Sequence, residues 1–293
     1  MNDTDWAKTI VMDSLASLPD LEEIRISLGG GSASPLKLAQ LKNMRKIRIT
    51  GFCPEYRQSI IPGLRTLISN SPRLTHLDVD GGSYRANTDT STLHDLFDGL
   101  PCITPLALTH LNLRSWCVRL DSETLPHLAM LESLTINNNI DTRKDGSIEE
   151  LVDIARDELV ERTGDYCSTN DEIWDTLRRE GIYLSEVSTD EVSEALLDYL
   201  ASYSGLKKVT LSFATSPNMT SSDALAIRFY YNVLPKHVGS LSVLDISPIF
   251  EGKWCFGKHN IASVRQCTKL VSLKMSINSD DIDGRDDNII VSC

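Results

Sequence analysis

Two histidines occupy equivalent places in two copies of one short sequence phrase. His76 and His110 each follow a threonine, and each lies two residues before an oxygen-bearing side chain, Asp78 or Asn112. If the two phrases form neighbouring parallel strands, about 4.8 Å apart, the imidazoles come into contact and can share a divalent metal with Asp78. However, the spacing supplies no third strong ligand, and the Thr-His pair is part of the repeated phrase itself. The pattern therefore favours a structural pair of histidines, and no metal or cofactor is expected.

Cys255 is the second candidate for chemistry. Lys253, Lys258 and His259 lie close to it in sequence, and neighbouring cations lower the pKa of a thiol. A cysteine nucleophile also needs an oriented base, which closeness in sequence does not supply. The two aromatic residues that flank the thiol are expected to fill the core beneath a long loop, although an exposed binding hot spot is the alternative. Since no nucleophile elbow, zinc-protease motif or dinucleotide fingerprint occurs, the chain is not expected to be an enzyme.

Two loops imitate ligand-binding motifs without completing them. Residues 29–35 are glycine-rich and follow a predicted strand, but they lack the lysine and hydroxyl residue that end a phosphate-binding loop. Residues 281–288 are rich in aspartate, but the glycine comes too early for a calcium-binding EF-hand loop and the closing glutamate is missing. We interpret the first loop as a turn and the second as an acidic loop.

The elements that must position these residues are encoded by a repeated phrase, Leu-x-x-Leu-x-Leu. Nine copies, some with other apolar residues in place of leucine, begin at positions 21, 44, 74, 108, 131, 184, 206, 241 and 270. Most of their spacings lie near the 20–29 residues of leucine-rich repeats. Within each copy, apolar and polar residues alternate as in a half-buried strand, and between copies the apolar residues have helical spacing. The pattern predicts an α/β fold: a curved leucine-rich-repeat solenoid of eight or nine repeats, with parallel strands inside and helices outside.

Capping and stop signals predict where three of the helices lie. Residues 89–101 carry polar starters, an apolar stripe and a Gly-Leu-Pro stop. Ser188 and Glu191 have the spacing of a capping box, which would open a helix over residues 192–200. A third helix is predicted from Asp223 to a stop at Pro235.

One interval between copies of the phrase is unusually long. Residues 140–183 fill it, with 13 Asp and Glu against 6 Arg and Lys, and they are predicted to be an acidic helical insertion. Helical spacing occurs in residues 148–160 and again from Ile173 to Leu177. The insertion is interpreted as a solvated cover, and the alternative is an acidic docking surface. The whole chain, 1–293, is predicted to be a single domain that ends in a flexible or truncated segment, residues 279–293.

Overall composition restricts the classes of partner. A net charge of −12 and a pI near 5.0 argue against nucleic acid or an anionic membrane as the main partner. The seven cysteines are scattered and form no C-x-x-C pair, which is typical of reduced thiols inside the cell. No secretory signal and no membrane-spanning apolar run occurs in the sequence. A cytoplasmic or nuclear protein is therefore expected.

The copies of the phrase resemble a known family of repeats. The copy at Leu270 is preceded by Cys267, as in the cysteine-containing repeats of leucine-rich-repeat proteins of the ribonuclease-inhibitor-like, F-box-associated type. The copy at Leu74 has the same frame with Ser71 in place of the cysteine, and the resemblance covers nearly all of residues 15–278. It implies a solenoid that recognises a protein. In that family an F-box beside the solenoid recruits ubiquitin-ligase machinery, but residues 1–20 resemble no F-box.

The third and fifth positions of each phrase are expected to face the inner, concave surface, where solenoids commonly bind a partner. This surface is mixed in charge and basic at its N-terminal end. The predicted partner-binding residues are Arg25, Lys46, Arg48, His76, Asp78, His110, Asn112, Arg114, Thr135, Lys208, Asp245 and Lys274.

The sequence thus predicts a non-catalytic scaffold that binds one or more protein partners, whose most specific form is a substrate receptor related to F-box proteins. One alternative is a regulatory scaffold that acts through residues 140–183. The other is a metal-binding or thiol-dependent enzyme that uses the histidine pair or Cys255.

Overall fold

A computed structural model describes residues 3–28, 36–51, 57–81, 92–116, 118–137, 168–212, 219–249 and 251–278. The chain divides into two compact units, Met1–Ile182 and Tyr183–Cys293. Both units combine helices with strands that run parallel to their neighbours, so the predicted α/β class is confirmed. No helix among the described residues is long and apolar enough to cross a membrane.

Each copy of the repeated phrase forms one strand. The strands of the first unit are β1 (Glu23–Ser27), β2 (Lys46–Thr50), β3 (His76–Asp80), β4 (His110–Arg114) and β5 (Ser133–Asn137). Those of the second unit are β6 (Glu186–Thr189), β7 (Lys208–Ser212), β8 (Val243–Ser247) and β9 (Ser272–Met275). Within each unit, consecutive strands pair in parallel and in chain order. The described residues therefore contain nine strands, and eight or nine were predicted.

Helices and turns connect successive strands. The helices of the first unit are α1 (Asp3–Ala16), α2 (Arg57–Ser69), α3 (Leu93–Phe97), α4 (Leu125–Leu128) and α5 (Asn170–Arg179), with a 3-10 turn at Leu38–Gln40. Those of the second unit are α6 (Glu194–Ala201), α7 (Met219–Arg228) and α8 (Ile261–Arg265). A π-helical turn, Phe229–Val233, and a 3-10 turn, Leu234–Lys236, follow α7 directly.

The helix boundaries correct two of the sequence predictions. Ser188 lies within β6, so it cannot cap a helix, and the N-cap of α6 is Ser193, whose side chain accepts a hydrogen bond from the Leu196 amide. The predicted capping box of Ser188 with Glu191 is therefore wrong. Helix α7 begins before Asp223, and the chain leaves α-helical geometry at Phe229, ahead of the predicted stop at the following proline.

Alternation of buried and exposed residues along the strands places the core beneath them. In β8, for example, Leu244 and Ile246 are fully buried, whereas the residues between them remain accessible. Trp254 is also fully buried, as predicted for the aromatic residues beside Cys255, whereas its neighbour Phe256 is only half-buried.

The acidic insertion is only partly described. Helix α5 begins at a capping box, in which Thr169 and Glu172 bond each other's main-chain amides, and it buries Ile173, Trp174 and Leu177. The helical spacing predicted at Ile173 is thus confirmed. The predicted helix at 148–160, the glycine-rich loop at 29–35, and the C-terminal segment 279–293 with its acidic loop lie outside the described residues.

Candidate functional site

The first unit displays a polar strand face, made of the outward side chains of β1 to β5. The strand pairing aligns these side chains in rows that cross the sheet. The histidine row is Glu23, Lys46, His76, His110 and Ser133. The arginine row is Arg25, Arg48, Asp78, Asn112 and Thr135. A shorter third row is Asp80, Arg114 and Asn137. The alternation that buries the leucines therefore also brings the predicted binding residues of this unit together on one surface.

The two histidines form a stack. The ring centroids of His76 and His110 are 4.0 Å apart, and the ring planes differ by 8°. The preceding threonines hold the rings, because Thr75 Oγ1 and Thr109 Oγ1 each lie 2.9 Å from Nδ1 of the next histidine. Each hydroxyl donates its single hydrogen to a main-chain oxygen, that of Arg45 at 3.0 Å or that of Thr75 at 3.1 Å. The hydroxyls must therefore accept from the imidazoles, which places the proton of each neutral ring on Nδ1 and leaves Nε2 as an acceptor.

This arrangement does not favour a shared metal. Two parallel rings held in the same way direct their Nε2 lone pairs side by side, whereas two ligands of one ion must converge on it. The carboxylate of Asp78 is engaged by Arg48, with 3.1 Å between Oδ2 and Nε. No group of three His, Cys, Asp or Glu residues suited to a metal ion occurs among the described residues. Burial, with further contributions from His110 and Lys46, lowers the pKa of His76, which keeps this ring neutral near pH 7.

The arginine row is built around Asp78, a sheltered carboxylate. Only 22% of its side chain is exposed, and burial raises the pKa of its carboxyl, an effect that Arg48 and the Asn112 side-chain hydrogen bond oppose. The carboxylate thereby fixes one end of the Arg48 guanidinium, which is otherwise 54% exposed. Asp78 therefore serves to position Arg48, and the arginine presents its free edge to solvent.

The edge of the face at β1 and β2 is more open. Arg25 and Glu23 form an ion pair of 2.8 Å in which both side chains are exposed. Lys46 is exposed too, and it makes no ion pair within the part of the chain that the structure describes. Exposed ion pairs contribute only about 0–1 kcal/mol, so the intramolecular pairing here is easily exchanged for another partner.

The remaining predicted binding residues also lie on strands and face outward. Arg114 is exposed in β4, in the third row of the polar strand face. Lys208, Asp245 and Lys274 belong to the second unit, where Lys208 lies opposite Glu186 and Lys274 Nζ is 3.3 Å from Asp245 Oδ2. The predicted set is thus divided between the two units.

Cys255 does not have the surroundings of a nucleophile. The thiol is buried, and burial raises its pKa, to which the negative charges of Glu251 and Asp223 add. The ring of His259 is engaged elsewhere, with Nε2 2.9 Å from the main-chain oxygen of Lys253. The neighbouring cations that suggested an activated thiol in the sequence do not produce one in the fold.

Sequence reasoning missed the residues that support the site. Thr75 and Thr109 fix the orientation of the histidine rings, and Glu22 contacts both Arg45 and Arg73 beside β1 and β2. The repeated Thr-His dipeptide was a signal for the first pair. The ion pairs of Glu22 join residues far apart in sequence, so no local pattern could have indicated them.

Comparison with known proteins adds no further constraint. No protein-family model, curated protein or solved structure matches the chain.

Proposed function

We propose that this chain is a leucine-rich-repeat recognition scaffold that binds a protein partner, without catalysis, through the polar strand face of its first unit. The observation that carries the proposal is the alignment of charged, amide and imidazole side chains in register across five parallel strands. Side chains on adjacent strands of a sheet are held at fixed spacing, so such a face can recognise a partner without first becoming ordered.

The composition of the face supports recognition more than chemistry. Its centre is a stacked aromatic pair with charged side chains on one side and uncharged polar side chains on the other, which resembles the arrangement of anchors and polar rim in protein interfaces. Nδ1 of each imidazole faces a threonine hydroxyl that already donates to the main chain, so neither histidine acts as a base toward that hydroxyl.

The most specific form of the proposal is a substrate receptor related to F-box proteins, acting in the cytoplasm or nucleus. Its support is the resemblance of the repeats at Leu74 and Leu270 to F-box-associated repeats. Recovery of ubiquitin-ligase scaffold components with the purified chain would favour this form, and their consistent absence among specific partners would count against it.

The proposal is tested by comparing the proteins that bind to matched variants. A His76→Ala/His110→Ala variant removes the stack, and a Lys208→Ala/Lys274→Ala variant changes the strand face of the second unit to a similar extent. Affinity capture followed by mass spectrometry should show partners that bind the wild type and the second variant but not the first. Identical partner sets for all three folded proteins would overturn the proposal. If partners are lost only when residues 140–183 are deleted, the acidic insertion is the binding region instead.

A further inference from the structure

Three cations form a compact triangle at the β1–β2 edge of the polar strand face. Lys46 and Arg48 are two residues apart on β2, and their side chains project from the same face. With a rise of about 3.3 Å per residue, they leave the sheet about 6.6 Å apart. Arg25 is the register partner of Arg48 on β1, about 4.8 Å away. All three side chains are exposed.

The counter-charges near this triangle do not neutralise it. Glu23 pairs with Arg25 and Asp78 pairs with Arg48, while Lys46 has no carboxylate partner within the described chain. Next to the triangle, Glu22 alone faces two further arginines, Arg45 at 3.6 Å and Arg73 at 3.3 Å. Among the described residues, these five cations thus face the three carboxylates of Glu22, Glu23 and Asp78, although the whole chain has a net charge of −12.

We infer that this edge binds an acidic, extended peptide segment of the partner, with alternate carboxylates over Lys46 and Arg48 and a third acidic group at Arg25. The inference rests on the proposed function, whose partner it specifies. Alternate side chains of an extended peptide lie on one side about 6.6 Å apart, which matches the separation of Lys46 and Arg48. The exposed Glu23 exchanges its place on Arg25 for a peptide carboxylate, whereas the sheltered Asp78 remains to position Arg48.

The charge distribution favours a short acidic segment over nucleic acid. At physiological salt the Debye length is about 8 Å, so a short segment over the triangle senses mainly the local cations. A long polyanion extends beyond the edge and is repelled by the acidic remainder of the chain. The ligand class is therefore a carboxylate-rich peptide.

The experiment uses the full chain and a short fluorescent peptide with glutamate at alternate positions. Fluorescence anisotropy should show binding that weakens as salt rises, and replacing glutamate with glutamine should abolish it. We expect Lys46→Glu to weaken binding by about tenfold or more. Lys208→Glu is the matched control, because Lys208 is exposed at the same position of the phrase in the second unit, and it should bind as the wild type does.

Equal affinity of the wild type and Lys46→Glu for the glutamate peptide would overturn the inference. Two further ligands test the ligand class. Binding of a phosphoserine version but not of the glutamate peptide would overturn the assignment to carboxylates. Tighter binding of a single-stranded oligonucleotide of equal charge would overturn the assignment to a peptide.

An NMR titration of His76 gives an independent readout of where the peptide binds. Besides burial and the neighbouring His110, the charges of Lys46 and Arg45 lower the pKa of His76. A carboxylate bound over Lys46 would offset part of this effect, so the pKa of His76 should rise on saturation with the glutamate peptide. An unchanged pKa at saturation would place the peptide elsewhere and overturn the inference.

The two proposals fail in different ways. If the natural partner depends on the histidine stack but the glutamate peptide does not bind, the acidic ligand is wrong and the recognition surface stands. If the loss of the stack leaves all partners bound, the proposed function is wrong. Binding of the peptide at the triangle would then show a site for acidic ligands, but no role of that site in recognising the partner.

Discussion

Individual buried side chains hold one repeat to the next by accepting main-chain hydrogen bonds. The acceptor lies at or near the end of one connecting segment, and the amide lies at or near the start of another copy of the phrase. The pairs are Met44 N with Ser71 Oγ (3.1 Å), Leu106 N with His127 Nδ1 (3.1 Å), Leu184 N with Tyr199 Oη (2.9 Å) and Leu206 N with His237 Nδ1 (3.3 Å). Serine, histidine and tyrosine all serve as the acceptor, so no single residue type recurs at this position of the repeats. That is why these residues could not be predicted, whereas the leucines could.

Replacement of Tyr199 by phenylalanine should measure the importance of one such buried hydroxyl. The ring is fully buried, and its oxygen accepts the Leu184 amide hydrogen in the core of the second unit. Tyr199→Phe keeps the ring but removes the acceptor of that amide together with the side-chain hydrogen bond to Tyr203, which should lower the free energy of unfolding by about 1–3 kcal/mol. Urea unfolding followed by circular dichroism gives the value.

The matched control for this change is Tyr231→Phe. Tyr231 is 59% exposed, and its hydroxyl donates to the main-chain oxygen of His259 at 2.9 Å, where water can replace it. We expect its loss to change stability by no more than about 0.5 kcal/mol. Equal effects of the two substitutions would show that the buried amide of Leu184 is satisfied in another way.

At the scale of whole elements, the strands were predictable and the helix boundaries were not. A strand of this fold is defined by a local period of two, and the fixed leucine frame repeats it nine times along the sequence. The helices are short, as in α3 and α8, so packing and, in α3, the side-chain cap at Thr92 decide where they begin. Ser188 shows the difficulty, since its spacing to Glu191 fits a capping box but the residue is already used by β6.

The last strand, β9, should contribute less to stability than the strand before it. Leu244 and Leu273 occupy the same position of the phrase and are register partners, but Leu244 is fully buried and Leu273 is only half-buried. Leu244→Ala should therefore cost about 2–5 kcal/mol, and Leu273→Ala clearly less, because the second change removes fewer contacts and leaves no closed cavity. Chemical denaturation of both variants under one condition provides the comparison. A larger loss for Leu273→Ala would show that β9 is covered more fully in solution.

At the scale of the molecule, the sequence predicted the layout of the polar strand face but not the chemistry of its contacts. The repeated phrase placed His76 and His110 on neighbouring strands, and their predicted contact is confirmed. The orientation of the rings could not be predicted, because it depends on main-chain oxygens of other strands that fix the threonine hydroxyls. The predicted single domain stays a prediction, and the boundary between the two compact units at Ile182 lies near the end of the predicted insertion.

Partly or fully buried histidines in both units should make the fold sensitive to mild acid. Burial is the largest cause that lowers the pKa of His76, His127 and His237 below the usual value of about 6.5. The unfolded chain therefore binds more protons than the folded chain once the pH falls below about 6.5. The stability that these histidines contribute is complete above that pH and is lost as the pH falls through their folded-state values. The pKa of Asp78 is raised, so its contribution has the opposite sign, but it titrates in a lower range, where carboxyl groups do.

Thermal unfolding between about pH 7.5 and about pH 5.5 tests this linkage in the range where histidines titrate and most carboxyl groups do not. The midpoint should fall steadily toward the acid end of the series. In His76→Asn, a side chain that cannot titrate replaces one of the three rings. The decrease of the unfolding midpoint toward acid pH should therefore be smaller than in the wild type, even though the stability at neutral pH differs between the two proteins. His237→Asn is less suitable, because it also removes the acceptor of the Leu206 amide and lowers stability at every pH. A midpoint that stays constant across the series would mean that these histidines titrate alike in the folded and unfolded chain, and burial would then not control their charge.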